Sequence, residues 1–135
     1  MEGIVSPTPP PYRLRIVPEV HEWLRTLRAI DRQASRWVAE ALGALIERGP
    51  ALGRPLVDTL SEGKKPTYPN LKELRPHSGH ESAPRILFIF DPDRNAVLLV
   101  AGDKAGNWAQ WYREMIPLAI ERYEDYLKKA EADGE

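Results

Sequence analysis

Two apolar runs joined by a short polar turn constrain this chain more than any other feature. Residues 95–103 (NAVLLVAGD) are almost wholly apolar, the pattern of a central strand covered on both faces. Residues 85–91 (RILFIFD) place Ile86, Phe88 and Phe90 on one face, with Arg85, Leu87 and Ile89 on the other. Between them, Asp91-Pro92-Asp93-Arg94 is turn chemistry: aspartate bonds its own backbone and proline presets φ. The pattern predicts a hairpin lying deep in a sheet.

The flanking segments supply the cover. Over residues 19–48 the period is helical, with Trp23, Leu24, Leu27 and Ile30 on one stripe. A break at Asp31, a natural N-cap, precedes Trp37, Val38, Ala41, Leu42, Leu45 and Ile46 at the same spacing. Gly49-Pro50 ends this helical hairpin, one face of which is meant for a sheet. Upstream, Tyr12-Arg13-Leu14-Arg15-Ile16-Val17 alternates apolar and basic residues as a strand does, and Pro18 stops it. Residues 71–75 (LKELR) form a further short strand ending at Pro76. Residues 50–70, rich in proline and glycine, read as a long irregular connection.

After residue 107, Trp108, Trp111, Tyr112, Met115 and Ile116 make one helical stripe, and Ala119, Tyr123, Tyr126 and Leu127 another. Asn107 is a reasonable cap, and Pro117 either kinks one helix or opens a second. The expected architecture is α+β: a small, antiparallel-rich sheet of about four strands on an N-terminal helical hairpin, with a C-terminal helical segment. One domain spans 12–129, because 135 residues cannot hold two adequate cores. Residues 1–11, with four prolines, form an extended disordered arm, and the acidic end 130–135 frays.

Composition excludes several classes of function. The chain has no cysteine, so thiol catalysis, disulfide scaffolds and cysteine-bound metals are out. No apolar run approaches the roughly 20 residues that cross a bilayer, and the N-terminus lacks a secretory pattern. A cytoplasmic protein with no membrane association is expected. The net charge of -1 hides an asymmetry: residues 1–113 hold 16 basic and 13 acidic side chains, and 114–135 hold 3 and 7. The mildly basic body leaves room for an anionic partner.

Several stretches, taken in order, resemble one family. They are Gly49-Pro50-x-Leu52-Gly53-Arg54-Pro55-Leu56, Leu71-Lys72-Glu73-Leu74-Arg75, Arg85-Ile86-Leu87-Phe88 closing in Phe90-Asp91-Pro92, Leu99-Val100-Ala101-Gly102-Asp103-Lys104, and Trp108-x-x-Trp111-Tyr112 followed by Ile116-Pro117-x-Ala119. Together they are similar to the phage-derived, HigB-like branch of the RelE/ParE toxin superfamily, over about residues 12–127. The resemblance implies a toxin of a type II toxin–antitoxin module with a RelE-like fold. It also implies metal-independent, ribosome-associated cleavage of messenger RNA (an mRNA interferase that inhibits translation), and a helix-turn-helix antitoxin as partner. A minority, ParE-like branch binds and inhibits DNA gyrase instead, and an inactive partner of the antitoxin is a third reading.

Cleaving RNA without a metal requires deprotonating the 2'-hydroxyl, neutralising the phosphate and reprotonating the 5'-oxygen. Arg75, Arg85 and Lys104 stand on or beside strands, where a meander would bring them onto one face to hold phosphate and stabilise the transition state. Arg85 could equally be a solvated strand residue, or pair with Asp103 or Glu73. Tyr112 is the candidate acid or base, against core packing on its stripe. Trp108 and Arg113 would join Arg75, Arg85 and Lys104 in binding RNA, although tryptophans at helical spacing are mostly core. His77 and His80, in the polar loop PHSGHES, are alternative acid–base groups. Their spacing without a third ligand is a poor metal site, so neither metal nor other cofactor is expected.

Overall fold

The computed structural model describes residues 11–60, 68, 70–77, 84–103 and 108–133. Its elements are strand β1 (Leu14–Ile16), helices α1 (Pro18–Ile30) and α2 (Arg32–Arg48), a 3-10 turn (Gly49–Ala51), strands β2 (Val57–Thr59), β3 (Lys72–Leu74), β4 (Arg85–Phe90) and β5 (Ala96–Gly102), and helix α3 (Trp108–Asp133). The five strands form one sheet in the order β1-β5-β4-β3-β2. All neighbours are antiparallel except β1, which runs parallel to β5.

The hairpin expected at the sheet's centre is there. Asp91 closes its turn, accepting from the backbone N–H groups of Asp93 (2.9 Å) and Asn95 (2.8 Å), and Arg94 takes a positive φ of 64°. Leu87 stands opposite Val100 but Phe88 opposite Leu98, so Leu99 is an extra residue in β5. That bulge turns both Leu99 and Val100 to the same face.

The period-2 pattern of β4 divides the core. Ile86 and Phe88 pack with Leu74, Ala96 and Leu98 beneath α1 and α2, which contribute Val20, Leu27, Ala34, Val38, Ala41 and Leu45. Leu87 and Ile89 face the other way, joining Leu71, Val97, Leu99 and Val100 under Ala119 and Tyr123 of α3. Ile86 to Ile89 are all 0% exposed, and each such side chain contributes about 1.5–3 kcal/mol through burial. The result is three layers, with the helical hairpin and α3 on opposite faces of the sheet.

Local signals explain the helix ends. Asp31 caps α2 by accepting from the Ala34 N–H at 3.1 Å. Gly49 ends α2 with φ 53°, and a Cβ there would collide with the Tyr12 ring, so the position requires glycine twice over. Pro117 lies inside one continuous α3, which resolves the two alternatives. The helix extends through Asp133, so the acidic end is helical that far, and residues 134 and 135 lie outside the described residues. The arm at 1–10 lies outside them as well.

The fifth strand is the main addition to the sequence reading. β2 lies within the segment read as irregular, pairing Val57 with Leu74 and Asp58 with Glu73. Three residues at a sheet edge give too short a run to show a period. No helix among the described residues is long and apolar enough to cross a membrane.

Candidate functional site

Alternation along β3 and β4 selects what faces α3 at one end of the sheet. Leu71, Glu73 and Arg75 share a face, and Arg85 shares it with Leu87 and Ile89. Asp58 of β2, opposite Glu73, arrives on the same side. Toward the middle of the sheet these positions are apolar; at this end they are ionic.

Glu73 is the centre of the cluster. It is 0% exposed, yet carries a carboxylate in a place where a leucine would fit the layer. Its Oε1 accepts from Arg75 Nε at 2.8 Å and lies 3.9 Å from Arg85 Nε. Its Oε2 accepts from the Tyr112 hydroxyl on the first turns of α3. Arg75 also reaches Asp58 at 3.4 Å, and Asp58 in turn pairs with Arg54 at 3.2 Å. Three guanidiniums therefore surround two carboxylates, an excess of one positive charge.

Arg85 is held differently from Arg75. Its side chain is 11% exposed and its guanidinium lies 5.0 Å from the centroid of the Trp108 ring. Its Nη1 donates a long bond to the Pro84 carbonyl at 3.4 Å. Its Nε, at ion-pair but not hydrogen-bond distance from Glu73, is a buried nitrogen with no hydrogen-bond partner among the described residues. A buried donor without a partner costs roughly 1–3 kcal/mol.

The electrostatics follow from this packing. Burial and then the bond to Glu73 push the Tyr112 phenol well above its ordinary value, with Arg85 and Arg75 opposing only in part. Tyr112 is thus a fixed hydrogen-bond donor at neutral pH, not a base. The Glu73 hydrogen bond raises Arg75 above the usual arginine value, against the opposing effect of burial. Asp58 is lowered, first by its bond from Arg54.

The first turns of α3 divide the aromatic stripe between two tasks. Trp111 packs onto the apolar layer and sits so close over Gly102 that a Cβ there would lie 2.8 Å from its indole nitrogen. Trp108 and Tyr112, four residues apart, stack at 5.6 Å and face the ionic cluster instead.

The structure thus brings together Arg75, Arg85, Trp108 and Tyr112 among the residues singled out by sequence. His77 stands apart: its ring stacks on Trp37 of α2 at 4.2 Å, on the helical-hairpin side of the sheet. Arg113 is exposed on α3 beside Tyr112. Lys104 and His80 lie outside the described residues. Glu73 entered the sequence reading only as an ion-pair partner for Arg85, and Asp58 did not enter it. The signal for Glu73 was its place between Leu71 and Arg75 in an alternating strand. Asp58 had none, because its strand was not visible.

Comparison with known proteins bears on the same segments. The model of the phage-derived Gp49-like family matches residues 25–124, which include every element of the cluster. The chain belongs to that family. It is 43% identical over 119 residues to the candidate toxin HigB3 of Mycobacterium tuberculosis, covering 88% of this chain and 96% of that protein. It is 46% identical over 115 residues to the candidate toxin HigB2 of the same organism, covering 85% of this chain and 54% of that protein. No solved structure matches it significantly. This protein is accordingly a HigB-like toxin of a toxin–antitoxin system, a class that implies an antitoxin partner. The expected α+β architecture, with helices at the N-terminus and a C-terminal helix on a mixed sheet, agrees with that membership.

Proposed function

We propose that this toxin is a metal-independent endoribonuclease that cleaves messenger RNA on the ribosome and so stops translation in the cytoplasm. The observation that carries the reading is the pair of guanidiniums, Arg75 and Arg85, held beside one fully buried carboxylate at the end of a rigid sheet. A buried ionic group adds little to stability compared with a packed hydrophobe, so its retention argues for a task other than folding. Two preset cations suit the phosphate of RNA, whose charge grows as the 2'-oxygen attacks.

In this reading Arg85 is the main phosphate ligand, since its guanidinium makes only one long hydrogen bond among the described residues. Arg75 supports it, and Trp108 offers an aromatic surface beside the phosphate. Glu73 and Tyr112 are positioning residues: the phenol donates to the carboxylate, and the carboxylate orients both arginines. Lys104 remains the proposed further cation, Arg113 a peripheral RNA contact and His80 the proposed proton carrier, while His77, stacked on Trp37 across the sheet, has no part in the chemistry. The partner would be a helix-turn-helix antitoxin.

The test is transcriptome-wide mapping of new RNA 5' ends minutes after the toxin is induced without antitoxin, for wild type and Arg85→Ala. New ends within translated frames, lost in the variant, are expected. Growth arrest with intact messages and altered plasmid supercoiling would overturn the reading in favour of gyrase.

A further inference from the structure

The ion pairs around Glu73 continue outward to the edge of the sheet, and they become more exposed on the way. Arg75 divides its guanidinium between two carboxylates: Nε donates to Glu73 Oε1 at 2.8 Å, and Nη2 lies 3.4 Å from Asp58 Oδ2. The same Asp58 Oδ2 lies 3.2 Å from Arg54 Nη2. Two guanidiniums therefore converge on one oxygen. Glu73 is 0% exposed, whereas the side chains of Asp58, Arg75 and Arg54 are 21%, 32% and 78% exposed. The buried pair fixes the orientation of Arg75, and the outer pairs lie where water and ligands reach them.

Asp58 is held loosely in this position. Both of its arginine contacts exceed the roughly 2.7–2.9 Å of a tight charge-assisted bond, and ion pairs this exposed add little to stability. Its other oxygen accepts from the Thr59 N–H at 2.9 Å, a bond within its own strand. Rotation of this one side chain would free both guanidiniums while Glu73 keeps Arg75 in place. An oxygen between two arginine forks is also the arrangement that a phosphate adopts.

The charges form a row: Arg85 on β4, Glu73 and Arg75 on and just after β3, Asp58 on β2, and Arg54 shortly before it. Neighbouring strands stand about 4.8 Å apart, so the row covers roughly 10 Å from β4 to β2 before Arg54 is counted. One carboxylate of a protein partner would match a single position in it. A phosphodiester chain, with a charge on every nucleotide, matches the row.

We propose that Arg54 and Arg75 form a second phosphate site for the RNA strand, beside the one assigned to Arg85, and that Asp58 is a stand-in anion which the strand's phosphate displaces. The inference rests on the RNA reading of the Arg85 site. Asp58 competes with the strand for both arginines, so its charge lowers RNA affinity.

The test measures binding of the full-length toxin to a short 2'-O-methyl RNA strand, which lacks the attacking hydroxyl, by fluorescence anisotropy over a series of salt concentrations. Asp58→Asn keeps the shape of the side chain and an acceptor for the Thr59 N–H; thermal midpoints are checked first for every variant. Asp58→Asn is expected to tighten binding about three- to tenfold, and Arg54→Ala to loosen it about threefold and to lower the slope of log affinity against log salt by about 0.7. In Arg54→Ala/Asp58→Asn the gain over Arg54→Ala alone should shrink to about twofold or less. Unchanged or weaker binding in Asp58→Asn would overturn the proposal and leave Asp58 as a prop for Arg75. So would an equal gain with and without Arg54, or an equal gain from Glu40→Gln on exposed α2 across the sheet, because either would reduce the effect to overall charge. No measurable binding of the strand by wild type would overturn it as well. If these shifts appear while the same strand with free 2'-hydroxyls stays uncut on and off the ribosome, the nuclease reading falls and the second phosphate site stands.

Discussion

Glu73 and Asp91 are the two buried acids among the described residues, 0% and 7% exposed, and each accepts a hydrogen bond from a tyrosine of α3. Tyr112 serves one and Tyr126, at 2.8 Å, the other. The likeness ends with their remaining partners. Asp91 satisfies backbone N–H groups and the Asn95 amide, all within its own turn. Glu73 accepts from the guanidinium of Arg75, just after β3, and lies at ion-pair distance from that of Arg85 on β4. One carboxylate completes a hairpin and the other organises cations, so burial alone does not identify a functional acid. What the acid holds does.

The comparison is most exposed to substitution of the acids themselves. Glu73→Ala leaves Arg85 without its ion pair and is expected to cost about 3–5 kcal/mol in urea unfolding, with RNA cleavage lost. Arg85→Ala is expected to lower cleavage roughly 10²–10³-fold in a purified assay, and to cost less in unfolding than Glu73→Ala because Arg75 still pairs with Glu73. Asp91→Ala should cost about 1–3 kcal/mol through its orphaned turn amides, with cleavage per folded molecule retained. Equal loss of cleavage in the Asp91 and Glu73 variants would erase the distinction between the two ends of the sheet.

The tyrosines sharpen it. Tyr112→Phe and Tyr126→Phe each remove one hydroxyl and should cost about 0.5–1.5 kcal/mol, but only Tyr112→Phe should slow cleavage. A smaller effect concerns pH. Burial, followed by the bond to Asp91, pushes Tyr126 up to about 12. Its protonated form is favoured by folding, so the stabilisation is complete below the unfolded value near 10 and disappears as pH rises through the folded value. Urea midpoints measured from pH 9 to 12 should therefore fall, and fall less in Tyr126→Phe. Asp91 behaves oppositely. Burial pushes it up, but bonds from Asn95, Tyr126 and Asp93 hold it below the ordinary carboxylate value. Its contribution is thus present above pH 4 or so and is lost as acid titrates it.

Most of the architecture was legible because its signals are local. The alternation in residues 85–91, the apolar run in 95–103, the Asp91 turn, the Asp31 cap and the Gly49 stop each depend on neighbours within a few positions. β2 was not legible, because a three-residue edge strand exists only through its pairing with β3. The fate of Trp108 and Trp111 was not legible either. Both lie on one stripe, and only the placement of α3 puts Trp111 over Gly102 and Trp108 over Arg85.

The same division runs through the site. By itself the sequence determined which faces are apolar, where the helices stop, that Arg75 and Arg85 stand at strand ends, and to which family the chain is similar. It could not determine that Glu73 lies between them, because that depends on the register of β3 against β4, two strands separated by a loop. Nor could it determine that Tyr112 is a donor and not a base, since the shift comes from burial and from a carboxylate 39 residues away in the chain. Periodicity is a property of the backbone and can be read from one segment. Charge pairing and desolvation are properties of the space between segments, and only the folded chain creates that space.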